Sequence, residues 1–245
     1  MIDSFISIDL ETTGLNQKKD AIMEIGAVKY RNGTEADSFH RMVDPGRLIP
    51  KRVTELTGIT QEEISGKECF CEIGKELLEF LEDDILVGHN ILFDYSFLKR
   101  AFVNDNLVTN KGTDTFEKKG IDTLKISRLR LSELESRSLT SLCEYYKIKF
   151  RAHRAIEDAR ATAELFLILQ KNFPECSGLK PLPLKYKVKK EGPLTPAQKE
   201  RLYMLIEQHK INTEYDVERM TKNEASRYLD QILAKYGRSN SSSQN

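Results

Sequence analysis

The dipeptide Asn32-Gly33, set between the apolar runs AIMEIGAVKY and ADSFHRMV, constrains this chain more tightly than any other local feature. An Asn-Gly connection supplies the positive φ angles of the turn that matches the twist of paired strands, so it predicts a β-hairpin. Upstream, FISIDL alternates and stops at Thr12-Thr13-Gly14, which predicts a strand running into a turn. Three antiparallel strands are therefore expected to open the fold.

Beyond the hairpin the apolar period changes. Ile73, Leu77, Phe80 and Leu81 recur at helical spacing, ILVGHN reads as a short strand, and Phe93, Phe97, Leu98 and Phe102 mark a second helix. Leu139, Leu142, Cys143 and Tyr146 fit another helix. Arg154 to Lys171 reads as a strong one, with Ala155, Ala159, Ala163, Phe166 and Leu167 toward the sheet. The polar stretch from Asn104 to Gly120 reads as loop. Strands alternate with helices, so the class is α/β.

A chain of 245 residues has room for one substantial core and a small appendage. The first domain is expected over residues 1–171. Residues 172–193 hold four of the seven prolines, and Lys180, Lys185, Lys187, Lys189 and Lys190 occur there with no acid among them, which predicts a basic linker. Within it, LKPLPLKY is a weak candidate for a partner peptide. A helical minidomain follows over 194–237: Thr195 to Gln198 and Thr221 to Glu224 read as capping boxes. Leu202, Leu205, Ile206 and His209 trace one apolar face, and Leu229, Ile232, Leu233 and Tyr236 another. Residues 238–245, RSNSSSQN, are expected to be a disordered tail.

Lysine plus arginine equals aspartate plus glutamate at 38 each, which argues against a protein that coats long nucleic acid nonspecifically but not against one that grips a strand end. The charge is uneven, with 14 basic against 9 acidic residues from 171 onward. No apolar run approaches a membrane span, and the N-terminus has no basic segment followed by an apolar one, so a cytoplasmic protein without membrane contact is expected. Cys69, Cys71, Cys143 and Cys176 lack paired metal spacing and read as free thiols.

Five residues read as one metal site. Asp9 and Glu11, two apart on a strand, point the same way, so a cation can bridge them. Asp94 follows in GHNILFD, and His153 precedes Asp158 by five residues at the start of a helix. Hard, oxygen-preferring ions such as magnesium take carboxylate ligands, and two such ions can neutralise a phosphodiester, activate a water and stabilise the leaving oxygen. Asp9, Glu11 and Asp158 would then hold one ion, with Asp9 also touching the second and Asp94 acting directly or through water. An imidazole titrating near neutrality makes His153 the natural proton acceptor. Each residue alone has a plainer reading, as a solvated strand face, a helix cap or a surface helix residue, and their joint presence carries the inference.

DLETTGL, TELTGIT at Thr54 to Thr60, LVGHNILFD, IDTL at Ile121 to Leu124 and HRAIEDARATAEL resemble, in order, the DEDDh branch of the DnaQ-like 3′–5′ exonucleases. The similarity covers most of residues 3–171. It implies a ribonuclease H-like mixed sheet flanked by helices, two divalent cations (Mg²⁺ or Mn²⁺), and removal of nucleotides from the 3′ end of DNA or RNA. By position it assigns Asp9, Glu11, Asp94 and Asp158 as metal carboxylates and His153 as general base. It also implies that Thr12, Thr13 and Gly14 meet the terminal nucleotide, while Thr57, Gly58, Ile59, His89, Asn90 and Phe93 shape its pocket. For Ile59 and Phe93 simple core filling is an equal alternative, and His89 reads better as a hydrogen-bonded turn residue than as a catalyst.

The leading expectation is a DNA 3′–5′ exonuclease, similar to the proofreading part of bacterial replicative polymerases, acting in proofreading, repair or recombination. An RNA-trimming exonuclease is the alternative, because no residue is identified that reads the 2′-hydroxyl. An alternative of another class is a noncatalytic subunit of a polymerase or repair complex. Such a partner would be met through residues 172–237.

Overall fold

The computed structural model describes residues 1–109, 115–149 and 151–237. The expected tail, 238–245, and part of the 104–120 loop lie outside the described residues. Two compact units are present, one of Met1–Pro45 with Ile49–Val188, the other of Gly46–Leu48 with the chain from Lys189.

The first unit opens on β1 (Phe5–Thr12), β2 (Ile22–Arg31) and β3 (Thr34–Met42), paired antiparallel. Asn32 and Gly33 close the hairpin with φ of 52° and 76°, the two positive angles that an Asn-Gly connection accepts at low cost. Three helices follow: α1 (Lys51–Thr57), α2 (Gln61–Ile64) and α3 (Phe70–Leu81). Then come β4 (Leu86–Gly88), α4 (Ile91–Asn104), β5 (Lys119–Asp122), α5 (Thr123–Arg130), α6 (Leu139–Tyr146), α7 (Ala155–Asn172) and β6 (Leu182–Pro183). The sheet order is β3-β2-β1-β4-β5-β6, with β1, β4 and β5 parallel and β6 antiparallel to β5.

Period-two alternation along β1 sorts its side chains to two cores. Ile6, Ile8 and Leu10 pack with Leu77, Leu81, Tyr95, Leu98 and Phe102 of α3 and α4. Phe5 joins Val87, Leu165, Phe166 and Leu169 on the α7 side, stacked on Tyr30 and edge-on to Phe166 at 5.0 Å in both cases. Asp9 and Glu11 share the parity of Phe5 and so emerge on the α7 side, at the end where the parallel strands finish.

Three expectations change. β5 emerges at the end of the stretch read as loop; its four residues, KGID, are too few and too mixed to show a period. Cys69 and Cys71 are joined as a disulfide, with Cα atoms 5.3 Å apart where the chain turns into α3, whereas Cys143 and Cys176 are free and buried. The segment read as linker is ordered as far as Val188: β6 covers the edge of β5, Leu184 is buried, and Tyr186 and Val188 pack on the same core. LKPLPLKY thus closes a sheet edge that would otherwise offer unpaired backbone groups.

The second unit contains α8 (Pro196–Gln208) and α9 (Lys222–Tyr236), both started by the expected capping boxes at Thr195/Gln198 and Thr221/Glu224. Leu202, Leu205, Val217, Met220, Ala225 and Ile232 form its core. The tripeptide Gly46–Leu48 completes it. Leu48 N–H donates to the Glu214 carbonyl at 2.8 Å, Asp216 N–H to Gly46 at 2.9 Å, and Arg47 pairs with the buried Glu224 carboxylate. Among the described residues no helix is long and apolar enough to cross a membrane.

Candidate active site

A pocket of about 270 Å³ collects the residues singled out in the sequence: Asp9, Glu11, His89, Phe93, Asp94, His153 and Asp158 all line it. They arrive on several separate elements. Asp9 and Glu11 close β1, where Asp9 pairs with Gly26 and Glu11 with Glu24 of β2. Asp94 sits in the first turn of α4 and accepts the Leu10 N–H at 3.1 Å, which ties that helix to β1. Asp158 lies in the first turn of α7, a favourable place for an anion, and its Oδ2 accepts the His153 N–H at 3.0 Å. That bond holds His153 at a positive φ of 67°.

Crowding of carboxylates dominates the electrostatics. Burial, then the charges of Asp94, Asp158, Glu11 and Glu24, holds Asp9 well above the usual carboxylate range. Burial also raises Asp94 well above that range, against the bonds from backbone N–H groups that favour its charge. Glu11 is pushed up to about 8 by burial and by Asp158 and Glu24, with Arg154 pulling the other way. Asp158 is pushed up to about 7 by burial, with the His153 N–H opposing and Glu24 and Glu157 adding repulsion. Among the described residues Arg154 and the backbone N–H groups offset this repulsion only in part, since all four acids stay above their usual range. The Asp158 Oδ1 atom is buried without a hydrogen-bond partner, and donor atoms of Glu11, His153 and Asp158 lie within 4.8 Å of one another. A hard cation fits such a set: it would take the orphaned oxygen and let the acids ionise.

Residues outside the sequence reading build the seam that brings α7 to β1. A Cβ on Gly26 would overlap the Ala155 carbonyl and the Ile156 nitrogen, so only glycine lets the start of α7 lie directly on β2. Beside it, Glu24 is fully buried and accepts from Arg154 Nε and Nη2 and from the Ala155 N–H, each at 3.2 Å, with His40 Nε2 2.7 Å away. Burial opposes its charge, but these partners together hold its carboxyl below the usual range. The signal in the sequence was a lone acid and a glycine within IMEIGAV, an otherwise apolar strand. Ser138, Leu139 and Thr140 also line the pocket, where Ser138 caps α6 by accepting the Ser141 N–H.

The softer assignments separate. His89 is a pin: burial lowers its pKa, its Nε2–H donates to the Arg137 carbonyl at 2.8 Å, and its Nδ1 accepts from the Thr123 hydroxyl at 2.9 Å. Phe93 is half-buried at the pocket wall. Thr12, Thr13 and Gly14 form the turn after β1, with the Thr12 hydroxyl donating to the Gly14 carbonyl at 2.7 Å and Thr13 accepting the Ala21 N–H at 3.0 Å. Thr57 and Gly58 end α1, Gly58 at a φ of 72°. Ile59 is fully enclosed with Met23, Val53 and Ile64, so its side chain presents no face to the pocket in this structure. Asn90, also away from the pocket lining, begins α4 and donates its N–H to Asp122 at 3.0 Å.

Two outcomes are expected. Gly26→Ala should cost about 1–3 kcal/mol of stability by overpacking and lower turnover about 100-fold by displacing His153 and Asp158; chemical denaturation and steady-state assay check both. In chelator, acids with folded pKa values near 7 and 8 bind protons that the unfolded chain, titrating near 4, has already lost. Their contribution to stability therefore falls as pH rises from about 4.5 to 8. Asp9→Asn should raise the melting temperature in chelator at pH 8 by about 3–6 °C and abolish the further rise that divalent ions give the unaltered chain, as read by calorimetry.

The family model RNase_T, described as exonuclease, matches residues 6–166. The PolC-type DNA polymerase III of Thermotoga maritima is 44% identical over 165 residues, a match that covers 67% of this chain but 12% of the polymerase. A solved structure of exonuclease X in complex with 5′ overhanging duplex DNA superposes with a TM-score of 0.53 at 24% identity, covering 68% of this chain and 91% of that one. The zinc-bound complex of E. coli exonuclease I with single-stranded DNA gives a TM-score of 0.61 at 19% identity, covering 72% of this chain and 42% of that one. The two structures share the ribonuclease H-like fold, and the family match carries the assignment: this chain belongs to the RNase_T exonuclease family.

Proposed function

We propose that this chain is a 3′–5′ exonuclease that hydrolyses phosphodiester bonds at the 3′ end of DNA with the help of two divalent cations, Mg²⁺ or Mn²⁺. One observation carries the reading: four carboxylates that repel one another, one with an unpartnered buried oxygen, are held by the fold around a single pocket beside His153. Asp9, Glu11, Asp94 and Asp158 would hold the cations, which when bound supply charge neutralisation at the phosphate and acidify water. His153 lies on the pocket wall near Glu11 and Asp158, where it takes the proton of the attacking water as the new P–O bond forms and the bond to the penultimate 3′ oxygen breaks. Phe93 offers a ring for the terminal base, and the turn at Thr12, Thr13 and Gly14 a backbone approach for its sugar. Thr57, Gly58 and Asn90 would support the pocket from behind, and His89 fixes its far rim through Arg137.

DNA is favoured over RNA because the polymerase relative is named as a DNA enzyme and both solved neighbours are described with DNA. Proofreading, repair or recombination in the cytoplasm suits such an activity. Docking on a polymerase or repair assembly would fall to the helical second unit and the segment leading into it.

Matched end-labelled DNA and RNA strands, blocked at either end and assayed with and without chelator, test polarity, sugar and metal together. Metal-dependent shortening of DNA from the 3′ end is expected; degradation only from the 5′ end, or only of RNA, would contradict the reading. Asp158→Ala should abolish it. His153→Ala should lower kcat about 10²–10⁴-fold with little change in KM, since it removes a proton acceptor rather than a binding group.

A further inference from the structure

A second groove, of about 290 Å³, runs along the edge of the sheet where β6 meets β5. Lys125, Lys180 and Lys185 line it, all three exposed, together with Leu92 and Leu182, which are 46% and 47% exposed. The lysines make no ion pair among the described residues, unlike Lys29, Lys99 and Lys199 elsewhere on the chain. The groove's one acid is Asp122, and its Oδ1 is already engaged by the N–H groups of Asn90, Leu124 and Lys125 at 3.0–3.3 Å. An exposed leucine pair flanked by three lysines against one acid leaves a net positive groove, complementary to a polyanion with flat apolar faces.

The groove and the acidic pocket are lined by adjacent residues of the same elements. Ile91 and Leu92 line the groove, while the next two residues, Phe93 and Asp94, line the pocket, all on the first turn of α4. Asp122 borders the groove, and its neighbour Thr123 bonds His89 in the pocket. Because Gly120 pairs with Leu182 and Lys119 with Pro183, Lys180 lies toward the end of β5 that enters the site and Lys185 toward the opposite end. The two lysines are five positions apart along the chain, at most about 16 Å at the rise of an extended chain.

Resting on the exonuclease reading, we infer that this groove carries the single strand 5′ of the terminal nucleotide. Lys125 and Lys180 hold phosphates next to the site, Lys185 holds one farther out, and Leu92 and Leu182 lie against the intervening bases. The consequence is length-dependent affinity without base specificity, since phosphate contacts and apolar contact with base faces are indifferent to sequence.

The test compares the full chain with a Lys125→Gln/Lys180→Gln/Lys185→Gln variant and its Lys→Arg counterpart. Substrates are dT12 and the p-nitrophenyl ester of thymidine 5′-monophosphate, which is too short to reach the groove. For the Gln variant, KM for dT12 should rise about tenfold with kcat unchanged. Its log KM against log salt should flatten by about 2, from three lost contacts at about 0.7 each on a single strand. The ester should be hydrolysed equally by all three proteins, and the Arg variant should keep the wild-type KM. Ester hydrolysis with an unchanged KM and salt slope for dT12 in the Gln variant would overturn the groove assignment, as would be found if the groove served an acidic protein instead. If the unaltered chain fails to hydrolyse either substrate with Mg²⁺ or Mn²⁺, the exonuclease reading falls. The groove is then judged by binding of fluorescein-labelled dT12 in chelator, where lysine-dependent affinity supports it and lysine-independent affinity overturns it.

Discussion

Where α7 begins, its backbone rests directly on Gly26 of β2, and the buried Glu24 carboxylate grips Arg154 and the Ala155 N–H at the same place. Gly26 faces Asp9 across the ladder, and Glu24 faces Glu11. This seam brings His153 and Asp158 to the two acids at the end of β1. A group of carboxylates that repel one another does not assemble by attraction, so the fold must impose it. Packing on both faces of β1, the Leu10–Asp94 bond and the seam together supply that constraint.

The strain has a chemical use. On the proposed reading, acids held above their usual range would surrender protons when a cation arrives, which would link metal affinity, protonation and stability through the same few oxygen atoms. Glu24 is the counterexample in the same neighbourhood. It is fully buried, yet His40, Arg154 and a backbone N–H satisfy it, and its carboxyl is held below the usual range as a structural anchor. Two glutamates facing each other on paired strands thus differ in charge state according to whether the protein itself supplies their partners.

Much of this was legible in the residue order. The hairpin followed from Asn32-Gly33, whose turn chemistry is local, and α7 from its long apolar period. The five-residue site followed from strand parity and from His153 preceding Asp158 at a helix start. What the sequence hid depends on distant partners. Gly26 reads as an ordinary small strand residue until α7 is laid on it, and Glu24 as a stray charge until Arg154 reaches it. Residues 182–188 resemble a linker because a two-strand edge pairing leaves no period of its own, and β5 was too short to register. Ile59 belongs to the same lesson: a residue in a recognisable turn motif points wherever the packing beneath it allows, here into a small core with Met23 and Val53.

The central claim is that the acidic pocket is a cation site whose protons leave as the cation enters. Isothermal titration of Mn²⁺ into the full chain at pH 7, in two buffers of different ionisation enthalpy, measures binding and proton release together. The account predicts saturable binding with net release of protons to the buffer, and loss of both in Asp158→Asn. Saturable binding with heats independent of the buffer, or binding that survives in Asp158→Asn, would contradict it.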